Sequence, residues 1–236
     1  MRVVSLAPSA TAVVDALGGS DRLVGVTHHD DVDATPVGGW LNPDLERVAD
    51  LDPDVLLTSD DLQADIRDDL IERGFDVHHA APATLDDVLA SFAAIGDAVG
   101  LPDAGADLEA DCRERVERVR RRTPDAGPVV YCEEWSDPPM AAGNWVPDVV
   151  EAAGGRYPFA NAGERSREVD PERVRAAGPD HAVVHVCGKG DSVDSDPSAR
   201  WGLDAAVHVV DDSLLNQPSP RLLDGLEALA DRLHGA

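Results

Sequence analysis

The feature that most constrains this chain is a repeat. Val13-Val14-Asp15-Ala16-Leu17-Gly18-Gly19 is echoed by Val149-Val150-Glu151-Ala152-Ala153-Gly154-Gly155. Further on, Glu46-Arg47-Val48, four residues and Pro53-Asp54 are echoed by Glu172-Arg173-Val174, four residues and Pro179-Asp180. Each second element runs into an apolar strand, Val55–Leu57 and Ala182–Val186. Gly-Gly and Pro-Asp are common helix stops, so one match alone carries little. Two matches in the same order, each followed by the same kind of element, predict duplicated lobes. Each half then reads β, loop, helix, Gly-Gly, short helix, Pro-Asp, β.

The remaining pattern is that of an α/β fold with parallel sheets, because strand-like apolar runs alternate with amphipathic stretches. Val3–Leu6, Leu23–Val26, Val55–Leu57 and Asp76–His78 read as strands, Asp65–Arg73 and Leu85–Val99 as helices. Ser9 is placed to cap the first helix, and Gly18-Gly19 stops it. Between the halves, Leu108, Cys112, Val116 and Val119 recur at helical spacing over Pro102–Thr123. Acids crowd the start of this stretch and arginines its end, which suits the helix dipole. About 20 residues of helix span ~30 Å. The expected architecture is therefore α/β, two Rossmann-like lobes with central parallel sheets joined by one long α-helix: lobe 1–101, linking helix 102–123, lobe 124–236.

Charge excludes several functions. With 46 acidic and 20 basic residues the formal net charge is -26; 34 of the acids are Asp, and Lys189 is the only lysine. Such a field opposes nucleic acid and anionic membranes. The acids run from Asp15 to Asp231 without forming a tail, so they read as adaptation to high salt rather than as a binding patch. No apolar run approaches the ~18 residues of a membrane span. Met1–Leu6 enters strand-like sequence directly, without the features of a signal peptide. As written, the sequence predicts a cytoplasmic product, extracytoplasmic if a leader was removed. Cys112, Cys132 and Cys187 are far apart and form neither a metal pair nor a disulfide framework. Phosphate loops, dinucleotide fingerprints, H-E-x-x-H and G-x-S-x-G elbows are absent.

Several segments resemble the solute-binding proteins of the helical-hinge class, which serve ABC importers of cobalamin, haem and ferric siderophores. The opening Arg2-Val3-Val4-Ser5-Leu6-Ala7-Pro8-Ser9-Ala10-Thr11 is similar to that family's start, and Leu23–Thr27 to its second strand. Asn42–Val48 and Leu51–Leu57 follow its next region. Trp135-Ser136-Asp137-Pro138-Pro139, Gly143-Asn144-Trp145-Val146-Pro147 and Ser219-Pro220-Arg221 resemble the cobalamin-binding branch. The resemblance covers essentially the whole chain. It implies a non-catalytic binder that holds one corrinoid between its lobes, needs no intrinsic cofactor and works with an ABC permease. Asp65 falls near a permease-docking position, and Gln217 stands where the importer's receptor tends to carry Arg.

In open α/β sheets, ligands bind beyond the carboxyl ends of the strands. Residues after each strand are thus the candidates. In the first half these are Ser9, His28 and His29, Trp40 and Leu41, and Asp60 with Asp61. In the second they are Trp135, Asn144 and Trp145, Cys187-Gly188-Lys189, Trp201 and Gln217. Only 4% of the residues are aromatic, yet all four Trp fall in these segments, outside any strand or helix core pattern. Trp offers a flat apolar face and one donor, which suits a large amphipathic macrocycle. The resemblance puts His29 at an aromatic contact, favouring stacking or hydrogen bonding over metal ligation. Cys187 follows His185 by two residues and so shares its face of the strand.

The expectation is a monomeric corrinoid-binding protein that captures cobalamin or cobinamide. A haem or ferric-siderophore binder of the same fold is the alternative; the candidate loops are rich in Trp and Asp and poor in Arg, which disfavours anionic siderophores. A cytosolic corrinoid-salvage enzyme or chaperone using Cys187 or His185 is the alternative of another class.

Overall fold

The computed structural model describes residues 1–28, 30, 32–124 and 127–235. The chain gathers into two compact units. One is Met1–Pro82 with Leu89–Asp111 and Pro218–Pro220; the other is Ala83–Val88 with Cys112–Gln217 and Arg221–Ala236.

The first unit holds β1 (Val3–Ser5), α1 (Pro8–Ala16), β2 (Leu23–Val26), β3 (Thr35–Pro36), β4 (Gly38–Gly39), β5 (Asn42–Pro43), α2 (Leu45–Asp50), β6 (Val55–Ser59), α3 (Ala64–Glu72) and β7 (Val77–Ala80). Its main sheet runs β3-β2-β1-β6-β7, every pair parallel. Val4, Leu6, Val37, Val48, Leu56 and Leu70 form a core cluster with no exposed surface. Burying each such side chain contributes about 1.5–3 kcal/mol.

Two helices then have residues in both units, α4 (Leu85–Ala98) and α5 (Pro102–Arg122). The 21-residue α5 is the long helix expected from the spacing of its apolar residues. Cys112, Val116 and Val119 are buried, and its arginines end it. Gly96 and Gly105 let α4 and α5 approach within the first unit: a Cβ on Gly96 would lie 2.7 Å from the Gly105 Cα.

The second unit holds β8 (Val130–Ser136), β9 (Pro139–Ala141), α6 (Val146–Ala152), β10 (Arg167–Glu168), α7 (Pro171–Ala177), β11 (His181–Val184), α8 (Pro197–Trp201), β12 (Ala206–Val209) and α9 (Arg221–His234). Its sheet runs β10-β9-β8-β11-β12; β8, β11 and β12 are parallel, while β9 and β10 join antiparallel. Arg115 on α5 reaches Asp224 at 2.6 Å and Glu227 at 2.8 Å on α9.

The repeat has a structural meaning in both units. Gly18 N–H donates to Asp15 O and Gly19 N–H to Val14 O, both at 2.9 Å; Gly154 donates to Glu151 O and Gly155 to Val150 O, also at 2.9 Å. Gly18 (φ 71°) and Gly154 (φ 79°) are left-handed, so both helices end in the same glycine-dependent cap. The Pro-Asp elements do the same job twice. Asp54 Oδ2 accepts the Arg2 N–H at 2.6 Å, and Asp180 Oδ2 accepts the Val129 N–H at 2.7 Å. Each aspartate thus pins the residue before the unit's first strand. Asp44 and Asp170 in turn cap α2 and α7 by accepting the N–H groups of Arg47 and Glu172.

The structure corrects one local expectation. Ser9 is not a helix cap: Ala7 holds that place without a side-chain bond, and Pro8 opens α1. Proline's fixed φ suits the first helical position, which moves Ser9 into the first turn, where it is buried.

Candidate ligand-binding site

All main strands of the first unit are parallel, so their carboxyl ends emerge along one edge. Leu6 leaves β1, Ser59 ends β6 and Asp60 follows it. Asp60 is left-handed (φ 72°), and its carboxylate accepts the Leu62 N–H at 2.8 Å, which fastens the turn after β6. Trp40 and Leu41 form the turn between β4 and β5; Trp40 is half-buried and Leu41 exposed. Gln63, entirely buried, ties these pieces together. Its Oε1 accepts the Ser59 N–H at 2.7 Å, and its Nε2 donates to Leu6 O at 2.9 Å and Trp40 O at 2.6 Å. His28 is exposed; His29 lies outside the described residues.

In the second unit Trp135 is not beyond the strand but within β8, because β8 continues to pair with β9 past Glu133. It is exposed, and its Nε1 donates to Asp137 O at 2.9 Å. Trp145 sits at the start of α6 with only 6% of its surface exposed, its Nε1 donating to Leu215 O at 2.8 Å. Asn144 beside it is half-buried and left-handed (φ 52°). Trp201 ends α8; its ring lies 5.6 Å from that of Tyr131, the second residue of β8. These three Trp belong to regular elements or their ends, contrary to the sequence expectation.

Beneath the loop after β11 lies a buried carboxylate. Glu133 has no exposed surface and accepts from Ser136 Oγ at 2.7 Å, Ser195 Oγ at 2.9 Å, Tyr131 Oη at 3.2 Å and the Arg200 guanidinium. Arg200 also stands 4.3 Å from the Trp201 ring centroid. Above it is a depression of about 500 Å³ bordered by Ser136, Val186, Lys189, Asp194 and Arg200. Cys187 and Gly188 are exposed at its approach, and Gln217 is half-buried. Asp212 shapes the loop by accepting the Gly188 and Gly190 N–H groups, each at 2.8 Å.

Residues 3–199 match the family model described as periplasmic binding protein. The chain belongs to that family. A vitamin B12-binding protein of Vibrio cholerae is 26% identical over 254 residues, covering 98% of this chain and 88% of that protein. A cobalamin-binding protein of Halobacterium salinarum is 28% identical over 257 residues, covering 99% of this chain and 69% of that protein. Among solved structures, the periplasmic vitamin B12 binding protein of Vibrio cholerae superposes with a TM-score of 0.80 at 23% identity over 98% of this chain and 96% of that one. The periplasmic heme binding protein of the same species gives 0.84 at 18% identity, over 99% of both chains. These structural likenesses show the fold: two α/β units and a long connecting helix.

Desolvation, then the Asp212 and Glu134 carboxylates, hold the Cys187 thiol above its ordinary range, the reverse of nucleophile activation. Burial holds His185 below the imidazole range, against the opposing pull of Glu134 and of Asn216. Among the described residues no group of three or more His, Cys, Asp or Glu is disposed to hold a metal, and no helix is long and apolar enough to cross a membrane. Sequence reasoning missed Gln63, Glu133, Arg200 and Asp212. Glu133 carried a signal, directly following the apolar run Val129-Val130-Tyr131-Cys132: a carboxylate buried in a strand needs donors. Gln63 carried none, because its partners are backbone groups and two of them, Leu6 and Trp40, lie 57 and 23 residues away.

Proposed function

We propose that this chain is the solute-binding component for a corrinoid, taking cobalamin or cobinamide with the loops at the strand ends of its units and delivering it to an ABC permease without catalysis. The observation that carries the reading is collinear similarity along 98–99% of the chain to proteins named vitamin B12-binding and cobalamin-binding. The half-buried Trp40 and exposed Leu41 of the first unit and the exposed Trp135 of the second support it, offering flat apolar surface to a large ligand. Ser9, His29, Asp60, Asn144, Trp145, Cys187, Gly188, Trp201 and Gln217 complete the proposed contact set. The heme-binding protein of Vibrio cholerae is alike in fold at 18% identity, which does not carry its ligand over.

The test is direct. Purified protein is mixed with excess cyanocobalamin, dicyanocobinamide or haemin and passed through a desalting column. Co-elution of the corrinoid's visible bands at one equivalent is expected. Haemin retained with neither corrinoid would sink the reading.

A further inference from the structure

The carboxamide of Gln63 is saturated by three backbone groups from three segments: Ser59 at the end of β6, Leu6 where the chain leaves β1, and Trp40 in the β4–β5 turn. Its orientation follows from its partners. Ser59 N–H can only donate, so Oε1 must face it; the two carbonyls then need the two N–H donors that Nε2 supplies. A flipped amide would set N–H against N–H and oxygen against oxygen. The residue is entirely buried, so water cannot replace any of the three bonds.

The hairpin it holds is short. β4 and β5 have two residues each, and the chain on their flanks is held by Val37 N–H to Val26 O at 2.8 Å and Asp44 N–H to Val37 O at 2.7 Å. The Gln63 bond acts at the turn itself, on the carbonyl of the residue whose indole is proposed for the ligand. Glutamine suits this place: glutamate of the same length keeps the acceptor but loses both donors, and asparagine is one methylene short.

We propose that Gln63 is a positioning residue for ligand recognition: it sets the Trp40 turn against the strand ends and thereby fixes where the indole is presented. This rests on the corrinoid reading, with Trp40 as a contact, and has a consequence independent of any ligand.

The experiment uses the full chain labelled with 5-fluorotryptophan, whose four 19F resonances report the four Trp separately; Trp40→Phe identifies that of Trp40. In Gln63→Glu and Gln63→Met the Trp40 resonance should shift or broaden while the other three stay in place. Cyanocobalamin affinity should fall about tenfold in each. Adding Trp40→Phe to either variant should cost little more, because both changes act on the same indole contact. An unmoved Trp40 resonance in a folded variant would overturn the proposal. So would additive losses of affinity, or Trp40→Phe binding as well as the parent. The two variants differ in charge, so failure of Gln63→Glu to fold leaves Gln63→Met to decide. If the parent itself does not bind cyanocobalamin, the corrinoid reading fails, and the 19F spectra still decide whether Gln63 positions the turn.

Discussion

Removing Arg200 should destabilise the protein more than neutralising the carboxylate it pairs with. Glu133 is wholly buried, whereas the Arg200 side chain keeps 32% of its surface exposed. Glu133→Gln leaves a neutral amide of the same shape, still accepting from Ser136 and Ser195, and Arg200 can turn toward water. The new Nε2 can donate to Tyr131 Oη, so the loss is one charge-assisted hydrogen bond, about 1.5–3 kcal/mol. Arg200→Ala instead leaves a buried negative charge with only three hydroxyl donors, the situation that costs about 3–5 kcal/mol when one partner of a buried pair is deleted. The partial exposure of Arg200 puts the expected value near the lower end, about 3 kcal/mol. For a chain of this size that is a drop in Tm of roughly 6–12 °C. Urea unfolding at constant high KCl, followed by circular dichroism, measures both variants and their combination. The double variant should be more stable than Arg200→Ala alone, since it removes the stranded charge. If Arg200→Ala costs less than about 1 kcal/mol, the range of exposed surface pairs, the Glu133–Arg200 pair does not act as a buried one.

Three further outcomes follow from the same structure. Asp54→Ala and Asp180→Ala should each destabilise by about 0.5–1.5 kcal/mol, because each removes the acceptor of the N–H before the unit's first strand; calorimetry showing one change silent would break the equivalence of the halves. His78, His79, His181, His185 and His208 are all held below the imidazole range, chiefly by burial. A lowered folded-state pKa means the unfolded chain binds protons first, so the Tm should fall as pH drops below about 6.5; a Tm constant from pH 7 to 5 would contradict it. With a formal net charge of -26, Tm should rise between 0.1 and 1 M KCl as the Debye length shortens from about 10 to 3 Å; a flat or falling Tm would remove the salt-adaptation reading.

How much of this was legible depended on range. The repeat was readable because a glycine-stopped helix and a Pro-Asp strand start are local devices, and the atoms confirm them: paired caps at Gly18 and Gly154, paired carboxylates at Asp54 and Asp180. The long helix was readable from Cys112, Val116 and Val119. The short strands β3, β4, β5 and β10 were not, since two residues carry no alternation and Pro36, Gly38 and Pro43 speak against a strand. At the candidate site, Trp40 is half-buried in the β4–β5 turn and Trp135 is exposed but within β8, not beyond it, while Trp145 is turned inward and Trp201 packs on Tyr131. A sequence shows that a Trp follows a strand, but not which way the ring turns. That depends on long-range partners such as Leu215 O, 70 residues from Trp145.

The central claim is the corrinoid, and thermal unfolding with and without ligand tests it most directly. A ligand bound to the folded state at a hundred times its Kd adds about 2.7 kcal/mol, several degrees of Tm for this chain. The expected result is that shift with cyanocobalamin and with dicyanocobinamide, together with quenched Trp fluorescence. An unchanged Tm and fluorescence with both corrinoids, beside a clear shift with haemin, would contradict it.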